Sequence, residues 1–152
     1  MRLTSFTDFG LRALMRLASA PDRAFSTAEL AQEFALSRNH LTKIMTALAQ
    51  DGIVITQRGS GGGAKLARAP GDIRLGEIVR ILETGQPLVE CFSASGGDCT
   101  ITGCCQLKAR LQAAEMAFLA ELDSATLADV ALLTPSASTT QSRSGADKPH
   151  SA

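Results

Sequence analysis

The chain lacks an excess of either charge. Fifteen Lys and Arg balance fifteen Asp and Glu over 152 residues, so net charge alone assigns it no polyanionic or polycationic partner. No apolar run approaches the roughly 18 residues that cross a bilayer, which excludes a membrane-spanning helix and any membrane partner of that kind. There is no cysteine outside residues 91–105, and neither histidine, His40 or His150, lies near them. No catalytic constellation is visible: one histidine falls on a candidate helix, the other in the tail, and no paired acids share a plausible pocket. The chain therefore does not read as an enzyme. The first twenty residues superficially resemble a signal peptide, but Asp8, Arg12 and Arg16 interrupt the apolar stretch. They read instead as an amphipathic helix of a cytoplasmic protein.

The zero net charge is the sum of two unlike halves. Residues 1–70 carry nine Lys/Arg against five Asp/Glu, and residues 71–152 carry six against ten. A basic front half can meet a polyanion, and a motif there supplies the specificity that charge does not.

Residues 25–52 predict two helices joined by a short turn. Ser26 at an N-cap with Glu29 three positions on has the form of a reciprocal capping box, with Phe25 and Leu30 as its hydrophobic staple. Ser37, with Leu36 and Leu41, repeats the device. Leu41, Ile44, Met45 and Leu48 then recur at helical spacing as one buried stripe, and Gly52 suits a left-handed C-cap. The opposite face of residues 37–51 carries Arg38, Asn39, His40, Thr42, Lys43 and Thr46, all polar. Two short helices of this kind predict a helix-turn-helix with 37–51 as recognition helix.

The next stretch, IVITQRGSGGGAKLAR, has a β-branched run over 53–56, a glycine-rich turn over 59–63 and a second short run over 64–68, which predicts a hairpin. A hairpin directly after a recognition helix is a wing, with Arg58, Lys65 and Arg68 as its cations. A phosphate-binding P-loop is excluded, because Gly63 is followed by Ala64, Lys65 and Leu66 rather than by Lys and Ser/Thr opening a helix. The expected DNA-contacting set is Ser37, Arg38, Asn39, His40, Thr42, Lys43, Arg58, Gly61 and Lys65, and the expected partner is double-stranded DNA.

The rear half predicts a further core helix over 72–83, with Leu75, Ile78, Val79 and Leu82 on one stripe. A long helix is expected from about Gln106 to about Leu132, with Leu107, Leu111, Ala114, Phe118, Leu122 and Val130 along one side. Its stripe exceeds what one small domain covers, which points to a homodimer and a palindromic operator. The fold class is thus mainly α: a winged helix-turn-helix domain (1–84), a cysteine-rich loop (85–105), a long C-terminal dimerisation helix (106–133) and a disordered tail (134–152).

The loop CFSASGGDCTITGCC is open to three readings by spacing. Structural zinc sites use closely spaced Cys pairs, and the seven residues between Cys91 and Cys99 match that poorly. A thiol switch needs two reactive cysteines. An iron–sulfur cluster takes thiolates at more varied spacing and accepts a non-Cys ligand.

MRLTSFTDFGLRALMRLA, SRNHLTKIMTAL, RGSGGGAKLAR and the C-x7-C-x5-C-QLK loop followed by FLAELDSATLADV resemble the IscR-like family of winged-helix iron–sulfur regulators. Within that family the likeness is to the NsrR group of nitric-oxide-sensing repressors, and it covers roughly residues 1–133. The resemblance implies a homodimer with one cluster per subunit, 4Fe–4S or 2Fe–2S, held by Cys91, Cys99 and Cys105. Cys104 is then an extra thiol, and Asp8, contributed from the first helix across the dimer, is the candidate fourth ligand. It also implies that nitric oxide attacks the cluster and releases the operator of nitric oxide detoxification genes. Related regulators sensing cluster supply or redox state, and a zinc- or thiol-based structural module, are the alternatives.

Overall fold

A computed structural model of the chain describes residues 2–101 and 103–133. The tail expected to be disordered, 134–152, lies outside the described residues.

Helix α1 (Ser5–Ser19) starts at Thr4, whose hydroxyl accepts the Thr7 N–H at 3.3 Å. Its stripe Ala13, Leu14, Leu17 and Ala18 is buried, as helical periodicity requires. Gly10 marks its tightest approach to the rest of the core: a Cβ there would come within 2.5 Å of Leu82 and 3.3 Å of Ile44.

Helices α2 (Thr27–Glu33) and α3 (Arg38–Gln50) form the expected helix-turn-helix. The Ser26 hydroxyl accepts the Glu29 N–H at 3.1 Å, but the box does not close reciprocally, because the Glu29 carboxylate pairs with Arg23. Ser37 stands at the N-cap of α3 by position only; its hydroxyl makes no capping bond. The turn between the helices is set by Ala35, which takes φ +53. This left-handed residue allows the Leu36 N–H to reach the Ala31 carbonyl at 2.8 Å, a Schellman-type ending. Gly52 ends α3 as expected, at φ +69, with the Ile53 N–H bonded to the Leu48 carbonyl at 2.9 Å.

Strands β1 (Val54–Gln57) and β2 (Gly63–Leu66) pair antiparallel, with Val54 opposite Leu66 and Gln57 opposite Gly63. Phe25 adds a third rung on the far side of β2: its N–H donates to the Ala64 carbonyl at 2.9 Å and its carbonyl accepts from Ala64 at 2.8 Å. The wing is therefore stitched to the entrance of α2. Gly63 makes this possible, since a Cβ there would collide with the Phe25 carbonyl.

Helix α4 (Leu75–Leu82) buries Ile78, Val79 and Leu82. Helix α5 (Gln106–Asp123) ends ten residues short of the expected boundary at 133. The Ser124 hydroxyl turns back onto the Glu121 carbonyl at 2.6 Å. The chain then bonds to the start of α4, from Leu75 N–H to the Ala125 carbonyl (3.1 Å) and from Leu127 N–H to the Ile73 carbonyl (2.8 Å). Leu127 is fully buried, and the Leu132 N–H reaches the Met15 carbonyl at 3.2 Å. The segment expected to extend the long helix instead belongs to the core of the DNA-binding unit, because burying Leu127 and Val130 there stabilises more than prolonging an exposed helix would.

No residue of α5 is buried. Leu107 is 62% and Met116 71% exposed, while Leu111, Phe118 and Leu122 are half-buried and Ala114 is exposed. Among the described residues, no helix is long and apolar enough to cross a membrane.

Candidate nucleic-acid interface and cysteine loop

The outer face of α3 presents Arg38, Asn39, Thr42, Lys43 and Thr46, all exposed. The Thr42 and Thr46 hydroxyls donate to the carbonyls of Arg38 and Thr42, both at 2.8 Å, so their oxygens remain available only as acceptors. Ser37 precedes them, also exposed. His40 differs from its neighbours. Its half-buried ring stacks on Phe6 (5.9 Å between centroids, 27°) and meets Phe9 edge-on (5.5 Å, 76°). It anchors the first turn of α3 on α1, a role its polar side chain did not announce.

On the wing, Arg58 and Gly61 are exposed and Lys65 is half-buried on β2. Among the described residues, no carboxylate forms an ion pair with Arg38, Lys43, Arg58 or Lys65. Arg68, expected to be the third wing cation, is engaged elsewhere: it bonds Glu77 at 2.6 Å and the Asp72 carbonyl at 3.3 Å. The cations without an ion-pair partner on this side are thus Arg38 and Lys43 of α3 and Arg58 and Lys65 of the wing, among the described residues.

The cysteine loop runs from the end of α4 to the start of α5. Cys91 sits in a 3-10 turn, Glu90–Phe92, and Cys105 stands at the N-cap position of α5, its side chain making no capping bond. Cys91, Cys99 and Cys105 are half-buried, and Cys104 is exposed, its thiol directed to the Ile101 carbonyl at 3.6 Å. Among the described residues, no three His, Cys, Asp or Glu side chains stand together as a ready-made metal site. The donor chemistry nevertheless fits an iron–sulfur centre. Three half-buried cysteine sulfurs share one short loop whose Gly96 and Gly97 take positive φ (+76 and +63), and thiolates are the ligands such clusters use.

Asp8 lies in the first turn of α1, about half exposed, and pairs with Arg12 at 2.8 Å. Thr4 caps that helix, so Asp8 is not needed as its cap. The two regions are joined through Glu83 at the end of α4, whose Oε1 accepts the Thr4 N–H and hydroxyl. The helix that carries Asp8 and the segment that leads to Cys91 are therefore tied at their nearer ends.

A family model described as "Rrf2: Iron-dependent Transcriptional regulator" matches residues 3–132. Among solved structures, IscR of T. potens superposes with a TM-score of 0.65 at 28% identity, covering 85% of each chain. CymR, the global cysteine regulator of B. subtilis, superposes with a TM-score of 0.68 at 27% identity, over 86% of this chain and 96% of that one.

Proposed function

The chain belongs to the Rrf2 family of transcriptional regulators, and from that premise we propose that it is a repressor whose 91–105 loop holds an iron–sulfur cluster and which leaves its operator in response to nitric oxide. Members of this family bind DNA and are typically dimeric; they are regulators rather than enzymes. The exposed Leu107 and Met116 of α5, beside the half-buried Leu111 and Phe118, are the surface on which a second copy would close. The observation that carries the reading is the set of half-buried cysteines, Cys91, Cys99 and Cys105, on the loop that connects α4 to α5. The nitric oxide signal is supported by the likeness of SFTDFGLRAL, SRNH and FLAELD to the NsrR group, as are detoxification genes as its targets.

When bound, the cluster supplies iron with which nitric oxide reacts. Cys91, Cys99 and Cys105 hold it, and Asp8 from the other subunit is an oxygen donor suited to the remaining position. While those residues are engaged, the loop has one shape. Once they are released, its glycines and serines leave it many shapes. Cys105 stands at the N-cap position immediately before α5, so the start of that helix adjoins the loop whose single shape is lost. Glu83 passes the same change to Thr4 and α1, and the Phe6–His40–Phe9 contact passes it to α3. A coupling of about 1–3 kcal/mol changes operator affinity about 5–150-fold, so a small reorientation of the recognition helices suffices.

A second reading, sensing of thiol state or cluster supply, is favoured by the exposed Cys104 beside Cys105 and by the likeness to a cysteine regulator. A nitric oxide titration of anaerobically purified protein, followed by visible absorption with iron and zinc assayed in parallel, separates the two. Bleaching of an iron–sulfur band within a few equivalents supports nitric oxide sensing. A band indifferent to nitric oxide supports the second reading, and zinc without iron rejects the cluster.

A further inference from the structure

The longest interval between successive cysteines, from Cys91 to Cys99, is closed by a side chain. Glu90, immediately before Cys91, accepts through Oε1 the backbone N–H of Asp98, immediately before Cys99, at 3.1 Å. Between them the chain folds back on itself: the Ser93 N–H reaches the Glu90 carbonyl at 3.0 Å, and the Gly96 N–H reaches the Ser93 carbonyl at 2.9 Å. Gly97, at φ +63, lies so close to Glu90 that a Cβ would come within 2.7 Å of its Cγ and 3.1 Å of its carbonyl oxygen. Glu90 itself is exposed, and among the described residues no cation pairs with it. Its carboxylate is thus committed to the loop rather than to a salt bridge.

We propose that Glu90 is a positioning residue for the cysteine loop. Its carboxylate draws together the backbone on either side of the insert, so that Cys91 and Cys99 leave from the two ends of one closed turn. The seven residues between them then form a side loop outside the ligand path, and their spacing ceases to be an obstacle to joint ligation. Closing the turn before the metal arrives removes an entropic cost that the ligands would otherwise bear. The inference rests on the cluster reading above.

The test uses full-length protein, as wild type, Glu90→Ala, Glu90→Gln and Gly97→Ala, reconstituted with iron and sulfide. Two quantities are read: exchange of the Asp98 amide in the cluster-free protein, and loss of the visible band under a chelator. Glu90→Ala is expected to speed both, by roughly two- to tenfold, the range a net hydrogen bond supports. Glu90→Gln keeps an acceptor oxygen and should stay close to wild type. Gly97→Ala places a methyl against Glu90 in a left-handed backbone and should reproduce the alanine effect from the other strand of the turn. A wild type that binds a cluster, with Glu90→Ala unchanged in both readouts, overturns the inference and leaves the cluster reading intact. An altered band shape in Glu90→Ala would make Glu90 a ligand and overturn its role as a positioning residue. A wild type that takes up no cluster rejects the cluster reading, and this inference with it.

Discussion

Glu83 holds Thr4 twice through a single carboxylate oxygen, from the backbone N–H at 2.8 Å and from the hydroxyl at 2.9 Å. The pair joins the N-cap of α1 to the C-terminal end of α4. It also leaves the Thr4 hydroxyl placed to accept the Thr7 N–H, so one carboxylate organises the whole entrance of α1.

Glu83→Ala removes two partly buried, charge-assisted hydrogen bonds and should lower unfolding stability by about 1.5–3 kcal/mol. Glu83→Gln keeps an acceptor oxygen and should lose less. Urea unfolding followed by far-ultraviolet circular dichroism measures both. Equal losses for the two variants would mean that the negative charge, rather than the shape or the acceptor oxygen, holds the contact.

The wing and recognition helix make opposite predictions for two arginines. Arg38 is exposed on α3 without an ion-pair partner among the described residues, so Arg38→Ala should cost specific operator binding about 1–3 kcal/mol if it reads a base edge. Arg68 is already held by Glu77, so Arg68→Ala should leave operator affinity nearly unchanged and cost about 0–1 kcal/mol of stability. Fluorescence anisotropy with labelled operator at one fixed salt concentration decides both. A large loss for Arg68→Ala would show that DNA competes successfully with Glu77.

The helix-turn-helix was legible because its signals are local. Ser26, the stripe Leu41, Ile44, Met45 and Leu48, and Gly52 each act within a turn or two of themselves, and all take the expected places. Contacts distant in sequence were not legible. Nothing near Phe25 announces its pairing with Ala64, and nothing near Arg68 announces Glu77. The end of α5 was misplaced for the same reason: Ala125 to Val130 could continue a helix, and only the bonds to Ile73 and Leu75 draw Leu127 into the core. Ala35 escaped notice because a left-handed turn usually advertises itself with glycine. In the cysteine loop, residue types were readable but the Glu90–Asp98 closure was not, since a glutamate before a cysteine carries no spacing signal.

His40 was expected on the DNA face and is found between Phe6 and Phe9. Two aromatic contacts of about 0.5–1.5 kcal/mol each imply that His40→Ala costs roughly 1–3 kcal/mol of stability and loosens α3 on α1. DNA affinity should then fall on specific and unrelated sequences alike, and His40→Phe should restore much of it. Loss confined to the operator, not restored by phenylalanine, would return His40 to base reading.

Acid should loosen the return segment. The hydrogen bond from Arg80 holds the Asp123 carboxyl below its ordinary value of 3.8, and the Thr126 backbone N–H and hydroxyl do the same for Asp129. A depressed folded value means stability that is present above about pH 3.8 and is lost as pH falls through the lower, folded values. The α4–α5 junction and the Leu127–Val130 turn should therefore open first on acidification, and Asp129→Asn should weaken the turn already at neutral pH. With no tryptophan or tyrosine in the chain, amide chemical shifts rather than intrinsic fluorescence report the transition. Retention of the Leu127 and Leu132 amide protection through that range would count against the mechanism.

The cysteines divide by burial in the same way as they divide by expected role. Cys91, Cys99 and Cys105 are half-buried and Cys104 is exposed, with its thiol turned to the Ile101 carbonyl. Replacing any of the first three with alanine should abolish the iron–sulfur band after anaerobic reconstitution, because a site with only three thiolates has none to spare. Cys104→Ala should retain the band and its response to nitric oxide. Cys104 and Cys105 are adjacent, yet Cys105 is half-buried at the N-cap position of α5 and Cys104 is exposed, so the two variants are not expected to behave alike. A colourless Cys104→Ala protein beside a coloured Cys105→Ala protein would reverse the assignment of the third ligand. It would also move the cluster away from the start of α5, and with it the route by which loss of the loop's shape reaches that helix.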